Sequence, residues 1–338
     1  EMCGRDWSSD VCSSDLMNNI FRGSSATTID VSNFNTKNVT NMSAMFYDSK
    51  ATKIIGLDQF DTRSAESMSA MFYTTLASEI DVSSFDTSKV TVFNSMFSNS
   101  VVKVLDVSNF DTSNAVSMRY FFGRTNITNL DLSNFNTNNV TDITGMFYIS
   151  NFSEIKLNNF NTSKVTSMES LFSESIATDI DYSNFDTSNV TNMSNMFYGT
   201  KVSRLDLSKF DTSNVTNMHS MFSHTSATNI DYSSFDTSKV TDMSYMFSAV
   251  PVNVLDLSMF DTSNVTNSEG MFYGSNSIKT IYVSDKFNTN SITNSVDMFA
   301  YNDNLVGGKG TKYNSSYIDK TYARIDGGTS SPGYFTAR

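Results

Sequence analysis

Cysteine, tryptophan, proline and histidine are nearly missing from this 338-residue chain, which has two Cys, one Trp, two Pro and two His. Each scarcity excludes something. So little Cys and His leaves scant material for a metal site or for a nucleophile paired with a base. Positive charge is short as well: 23 Lys and Arg face 35 Asp and Glu, for a net charge of −12. An acidic chain has no electrostatic case for nucleic acid or anionic lipid as partner. No apolar run approaches the roughly 20 residues a membrane helix needs, so no membrane insertion is expected of this segment. No G-x-S-x-G, phosphate loop or paired-acid spacing stands apart, so no catalytic residue is assigned and the chain is not expected to be an enzyme.

What the chain does have is a repeat. It reads LDLSNFNTNNVTDITGMF at 130–147, IDYSNFDTSNVTNMSNMF at 180–197 and LDLSKFDTSNVTNMHSMF at 205–222. The first Phe of the motif falls at Phe34, Phe60, Phe85, Phe110, Phe135, Phe160, Phe185, Phe210, Phe235, Phe260 and Phe287. The spacing is 26 once, 25 eight times and 27 once, giving eleven full copies. A fixed period in this range signals a solenoid, in which each coil buries its apolar face against its neighbours.

Within the copy VSRLDLSKF (202–210), Leu205 and Leu207 alternate with Asp206 and Ser208, as in a short strand with one face buried. The residue after the Phe is Asp or Asn and the next is Thr in all eleven copies. Such short side chains suit a strand exit and a helix N-cap. VTNMHSMF (215–222) then places Val215, Met218 and Phe222 at i, i+3 and i+7, with Met221 beside them, the stripe of a helix of about two turns. The expected fold is therefore an α/β repeat solenoid, a leucine-rich-repeat-like right-handed coil of 25 residues. One parallel sheet would form one face and short helical segments the other, over a body about 55 Å long. The Met and Phe columns read as core rather than as a cofactor box.

The pattern L-x-L-x-x-F-[DN]-T-x-x-V-T-x-M-x-x-M-F resembles the BspA-type leucine-rich-repeat surface proteins of low-G+C bacteria, also called the DUF285 repeat. The likeness spans about 17–300, and the VTxMxxMF half makes it specific. The tail NLVGGKGTKYNSSYIDKTYARIDGGTSSPGYFTAR (304–338) resembles the segment that closes such arrays. The resemblance implies an extracellular or cell-surface protein that adheres to host or neighbouring cells or to matrix proteins. It supplies no binding residues.

Both ends break the period. Met42 and Phe46 moved back by 25 land on Met17 and Phe21, so MNNIF (17–21) is expected to be the tail of a twelfth, incomplete copy. The preceding EMCGRDWSSDVCSSDL holds Trp7, Cys3 and Cys12 and lacks the repeat. It has neither the basic region nor the apolar segment of a signal peptide, and its cysteines would be weak evidence for a metal site or a disulfide. Its part DWSSDVCSSDL resembles the conceptual translation of a short-read sequencing adaptor. The expected organisation is thus an adaptor-derived stretch at 1–16, a solenoid at 17–299 and a capping segment at 300–338, within a fragment whose signal peptide and anchor are absent. Without the first sixteen residues, whose Glu1, Asp6, Asp10 and Asp15 outweigh Arg5, the net charge is −9.

A function would sit most naturally on the outward face of the sheet. The position between the two inward aliphatics holds Asp30, Asp81, Asp106, Asp131, Asp181, Asp206, Asp231 and Asp256, interrupted by Gly56, Lys156 and Tyr282. Two residues on sits mostly Ser. From Asp81 to Asp256 this acidic ladder is the candidate binding face, for a cationic patch on a partner or for Ca²⁺, although the D-x-D-x-D-G clustering of strong calcium loops is absent. Otherwise no cofactor is expected, and the ladder's plainer role is a solvated face that keeps the sheet soluble. A second candidate is the aromatic after Met-Phe, at Tyr47, Tyr73, Tyr148, Tyr198 and Tyr273. His219 occupies a position that is Ser in neighbouring copies and reads as surface variation, as does His224 beyond it. Asn-x-Thr triplets such as Asn189-Val190-Thr191 arise from the repeat and are assigned no modification.

Overall fold

The computed structural model describes residues 16–338. The expectations for residues 1–15, including Trp7, Cys3 and Cys12, lie outside the described residues. The chain winds into a parallel β-solenoid with about 25 residues per turn. Each coil touches its neighbours along two walls.

The first wall is made by the L-x-L segments. They form β1 (Thr28–Asp30), β2 (Lys53–Ile55), β3 (Glu154–Lys156), β4 (Asp179–Asp181), β5 (Arg204–Asp206), β6 (Asn229–Asp231), β7 (Val254–Asp256) and β8 (Thr280–Val283). All pairings among them are parallel. Leu205 and Leu207 are fully buried while Asp206 and Ser208 are exposed, as the alternation predicts. The expected single sheet is not formed, however. Strands pair as β1–β2, β3–β4, β5–β6 and β7–β8–β9, with β9 at Phe335–Ala337.

Two of the interruptions have a visible cause. Tyr182 and Tyr232 stand where other coils have Leu or Val, and their rings pack edge-on against Phe210 and Phe260 with centroids 5.7 and 5.6 Å apart. The Tyr182 hydroxyl then accepts the Asp206 N–H at 3.2 Å, and Tyr232 accepts that of Asp256 at 3.3 Å. The amide that would bond to the preceding coil's main chain is taken by a side chain, and a seam opens between β4 and β5 and between β6 and β7. In the stretch without assigned strands, Asp81, Asp106 and Asp131 follow one another on successive coils, and like charges on neighbouring strands oppose pairing. Where strands do pair, Asp30 faces Ile55, Lys156 faces Asp181 and Asp256 faces Tyr282. Asp206 does face Asp231, but Arg204 lies 3.4 Å from the Asp206 carboxylate.

The register also corrects the place of Gly56. Ile55, not Gly56, lies opposite Asp30. Gly56 is the extra residue of the 26-residue coil and takes φ 88°, where a Cβ would come within 2.5 Å of the Ser32 backbone. Only glycine fits there.

The second wall is the V-T-x-M-x-x-M-F segment, and it is not helical. Among the described residues there is no α-helix, only 3₁₀ turns at Leu57–Gln59, Lys320–Tyr322 and Gly328–Ser330. Alternate amides reach the next coil: Met42, Ala44, Phe46 and Asp48 donate to the carbonyls of Ser67, Ser69, Met71 and Tyr73 at 2.8–3.0 Å. The amides of Met45, Tyr47 and Ser49 instead close local turns onto Met42, Ala44 and Phe46. The turns that close at Met45 and Ser49 have a positive φ at their third residue. Two columns supply it, for example Ala44 (φ 55°) and Asp48 (φ 52°), then Ala70 and Thr74, Tyr120 and Arg124, Gly145 and Ile149, and so on to Asp297 and Tyr301. A chain that turns every four residues returns the same face at i, i+3, i+4 and i+7, which is the spacing of an amphipathic helix. The stripe was therefore right and the backbone was not: Val215, Met218, Met221 and Phe222 are all fully buried.

This turn wall carries an unbroken ladder of parallel bridges from Leu16–Asn41 through Asn267–Asn294. Met17 is buried and its amide bonds the Asn41 carbonyl, so it sits at the repeat methionine position, and Phe21 stacks on Phe46 with centroids 5.5 Å apart. Phe46, Phe72 and Phe97 continue that column at 5.5 and 5.6 Å. A buried threonine column stitches the corner between the walls. Thr212 Oγ1 donates to the Asp236 carbonyl and accepts the Asp236 N–H, both at 2.8 Å, and Thr112, Thr137, Thr162 and Thr237 repeat the pair of bonds. The hydroxyl satisfies both main-chain groups of the next coil, which explains why Thr appears here in every copy.

At the far end β9 pairs in parallel with β8, and Tyr334 and Phe335 are fully buried beside Phe299, with centroids 5.1 and 5.8 Å away. Asp326 ties this segment together by accepting from the Lys309, Thr311 and Gly328 amides and the Thr311 hydroxyl. Burial works to raise its pKa, but these bonds hold the carboxyl far below the ordinary range.

Candidate functional site

The acidic ladder lies along the outward side of the strand wall, and the geometry assigns each carboxylate a local task. Oδ1 of Asp81 accepts the Ser83 amide at 3.0 Å and the Ser83 hydroxyl at 2.6 Å. Asp106, Asp131, Asp181, Asp206, Asp231 and Asp256 likewise accept the amide two residues on, at 2.9–3.3 Å. Each is the first residue of an Asx turn. The D-x-S pattern is thus a turn device first. Bonds from the following serine hold Asp81, Asp106, Asp131, Asp181 and Asp206 below the ordinary carboxylate pKa. Arg204 pairs with Asp206, and Arg338 pairs with Asp256. The ladder is not uniformly exposed, since Asp181, Asp231 and Asp256 are half-buried. Among the described residues no group of three His, Cys, Asp or Glu is placed to hold a metal ion.

The same device recurs at two further positions of the repeat. The Asp after the motif Phe caps its own turn, as Asp186 does by accepting the Ser188 amide and hydroxyl at 3.0 and 2.6 Å. The Asn or Asp before the first Met does so too, as Asn192 does for the Ser194 amide at 3.0 Å. These positions cap turns, not helices.

On the turn wall, His219 Nδ1 lies 2.7 Å from Ser244 Oγ, which donates to Asp242 Oδ1 at 2.5 Å. That leaves His219 Nδ1–H as the donor and Nε2 as acceptor for Ser220 Oγ at 3.1 Å. The chain Ser220–His219–Ser244–Asp242 has the bonding order of an activated serine, yet Ser220 is 5% exposed and offers no approach for a substrate. It reads as a structural network. His224 packs edge-on against Tyr198.

The tyrosines after Met-Phe line the same wall, half-buried rather than freely exposed. Tyr47 and Tyr73 stack at 4.8 Å. Arg22 lies over Tyr47 at 4.5 Å and Arg124 over Tyr148 at 5.0 Å. Two further tyrosines, Tyr120 and Tyr245, sit in the first positive-φ column and were not singled out from sequence. Each lies on the glycine one coil later: a Cβ at Gly145 would come 2.1 Å from the Tyr120 ring, and one at Gly270 2.3 Å from Tyr245. The signal was present, because Tyr is followed 25 residues on by Gly in both cases. Tyr245 also donates to Glu269 Oε1 at 2.8 Å, which with burial pushes its phenol up to about 12.

No helix among the described residues is long and apolar enough to cross a membrane. Neither a curated protein nor a solved structure matches the chain. A family model described as "Mycoplasma protein of unknown function, DUF285" matches in five overlapping windows, at residues 15–134, 78–181, 117–231, 174–285 and 199–312. Overlap at this density is what a short repeat stacked many times produces, and together the windows span most of the sequence. The chain belongs to the DUF285 family.

Proposed function

We propose that this protein is a bacterial cell-surface or secreted solenoid that adheres to other cells or to matrix proteins through its lateral surface, without catalysis. The observation that carries this reading is the repetition of the outer side chains: the Asp or Asn after the motif Phe recurs in all eleven copies, the outward Asp of the strand wall in most, and Tyr after Met-Phe in five. A solenoid of this kind offers one long surface on which weak contacts add. The surface placement rests on the resemblance of the repeat to BspA-type proteins. The test is binding of residues 17–338 to cells and to immobilised matrix proteins such as fibronectin. Saturable binding that free protein competes away is expected. Absence of binding to every surface tried would favour the second reading, a stalk that displays other domains, which deletion of the array with those domains retained would then separate.

For the acidic ladder we propose the plainer role of turn capping and solubility. Because Oδ1 of each Asp is committed to its own turn, titration with millimolar Ca²⁺ is expected to give no heat and no thermal shift. A saturable heat would restore the cation-binding reading.

A further inference from the structure

We propose that the tyrosine patch of Tyr245, Tyr273 and Tyr301 on the turn wall docks an arginine-bearing basic segment of a partner protein. The inference rests on the reading of the chain as an interaction solenoid and gives that surface a place and a chemistry. Tyr273 stands edge-on to Tyr301 at 5.2 Å and tilted to Tyr245 at 6.3 Å, so three rings on three successive coils form one aromatic surface. Tyr301 is 63% exposed and the neighbouring Val296 58%, among the most exposed large apolar side chains of the described residues. The patch is held rigid from below: Tyr245 rests on Gly270, and Glu269 is fixed between the Tyr245 hydroxyl and Asn294 Nδ2 at 2.8 and 2.9 Å.

Its electrostatics have one sign. Glu269 and Asp297 both raise the Tyr245 pKa, and Asp297 that of Tyr273, in addition to the effects of hydrogen bonding and burial. An aromatic face bordered by carboxylates fits a guanidinium group, which stacks flat on the ring while its N–H groups bond the acids. The molecule itself displays this pairing elsewhere. Arg22 covers Tyr47, and Arg124 covers Tyr148 while bonding its hydroxyl at 3.1 Å. Among the described residues every arginine stacked on a tyrosine lies on Tyr47, Tyr148, Tyr282 or Tyr322, and none on the patch. The net charge of −12 would draw a basic segment in, and the rings would select Arg over Lys.

Fluorescence anisotropy of the full chain with a short labelled peptide bearing four arginines, against the same peptide with lysines, tests this at physiological salt. Preference for the arginine peptide of at least about fivefold is expected, with at least a tenfold loss in Tyr273→Ala/Tyr301→Ala. Should that double variant melt early, Asp297→Asn is the second probe: Asn tolerates the positive φ there, and a loss of about threefold is expected. Equal binding of both peptides, or binding unchanged in a folded variant, would overturn the site and leave only diffuse attraction to an acidic surface. Matrix or cell binding that survives in Tyr273→Ala/Tyr301→Ala would likewise sink this site while leaving the broader adhesive reading intact.

Discussion

The two walls of this solenoid solve the same stacking problem with different means. The turn wall links every coil to the next through main-chain bonds that run without a gap from Leu16 to Asn294. The strand wall looks more regular in sequence, yet its strands pair in twos and a three. The difference lies in what each wall asks of its side chains. On the turn wall the positive-φ positions hold Gly, Asn, Tyr, Arg and even a strained Ile, and the ladder of bridges runs through all of them. On the strand wall one Leu-to-Tyr change brings a hydroxyl within reach of a main-chain amide, and the pairing is lost. Continuity therefore depends less on strand propensity than on whether any side chain can compete for the backbone.

Four substitutions sharpen or break this contrast. Phe197→Ala empties a fully buried position in the stacked Phe column of the turn wall and is expected to cost about 3–5 kcal/mol, read by urea unfolding. A cost no greater than that of a surface substitution would show that the turn wall is not the main support. Thr212→Val keeps the shape but strands the buried Asp236 amide and carbonyl, for a loss of about 1–3 kcal/mol. Ile149 is a β-branched residue at φ 49°, so Ile149→Gly is expected to stabilise by about 1 kcal/mol, and an unchanged melting temperature would contradict the strain.

The smallest effect belongs to the seam. Burial raises the Tyr182 pKa to about 12, above its ordinary value of 10. The neutral phenol is thus favoured by folding, so this contribution is complete below pH 10 and is lost as pH rises toward 12. Tyr182→Phe should remove that part of the alkaline sensitivity while speeding hydrogen exchange at the Asp206 amide. If exchange there is unaltered, the hydroxyl is not its partner.

Much of this architecture was legible from one sequence. The period, the inward columns and the place of Met17 all follow from side-chain type at fixed spacing, which any backbone of the right length must respect. The helix was misread because apolar spacing alone does not distinguish 3.6 residues per turn from a chain that turns every four. A discriminating mark did exist: Gly23, Gly145, Gly199, Gly270 and Gly274 all fall in the two columns that need positive φ. The seams were harder to foresee. IDYS and LDLS satisfy the same alternation, and only the reach of the Tyr hydroxyl in three dimensions tells them apart. As for the acidic ladder, its membership could be read directly, apart from the one-residue slip at Gly56. Its task could not, because the sequence records the Asp and the Ser but not which of them the other serves.

Mechanically, the seams turn the molecule into a hinged plate. The turn wall acts as a continuous spine, while the opposite wall is slit at 50-residue intervals beside Tyr182 and Tyr232. A bar cut on one side bends readily only in the direction that opens the cuts. The solenoid is accordingly expected to flex about its turn wall and to resist bending the other way, which would let the spine curve around a rounded surface with its tyrosines on the inside of the bend.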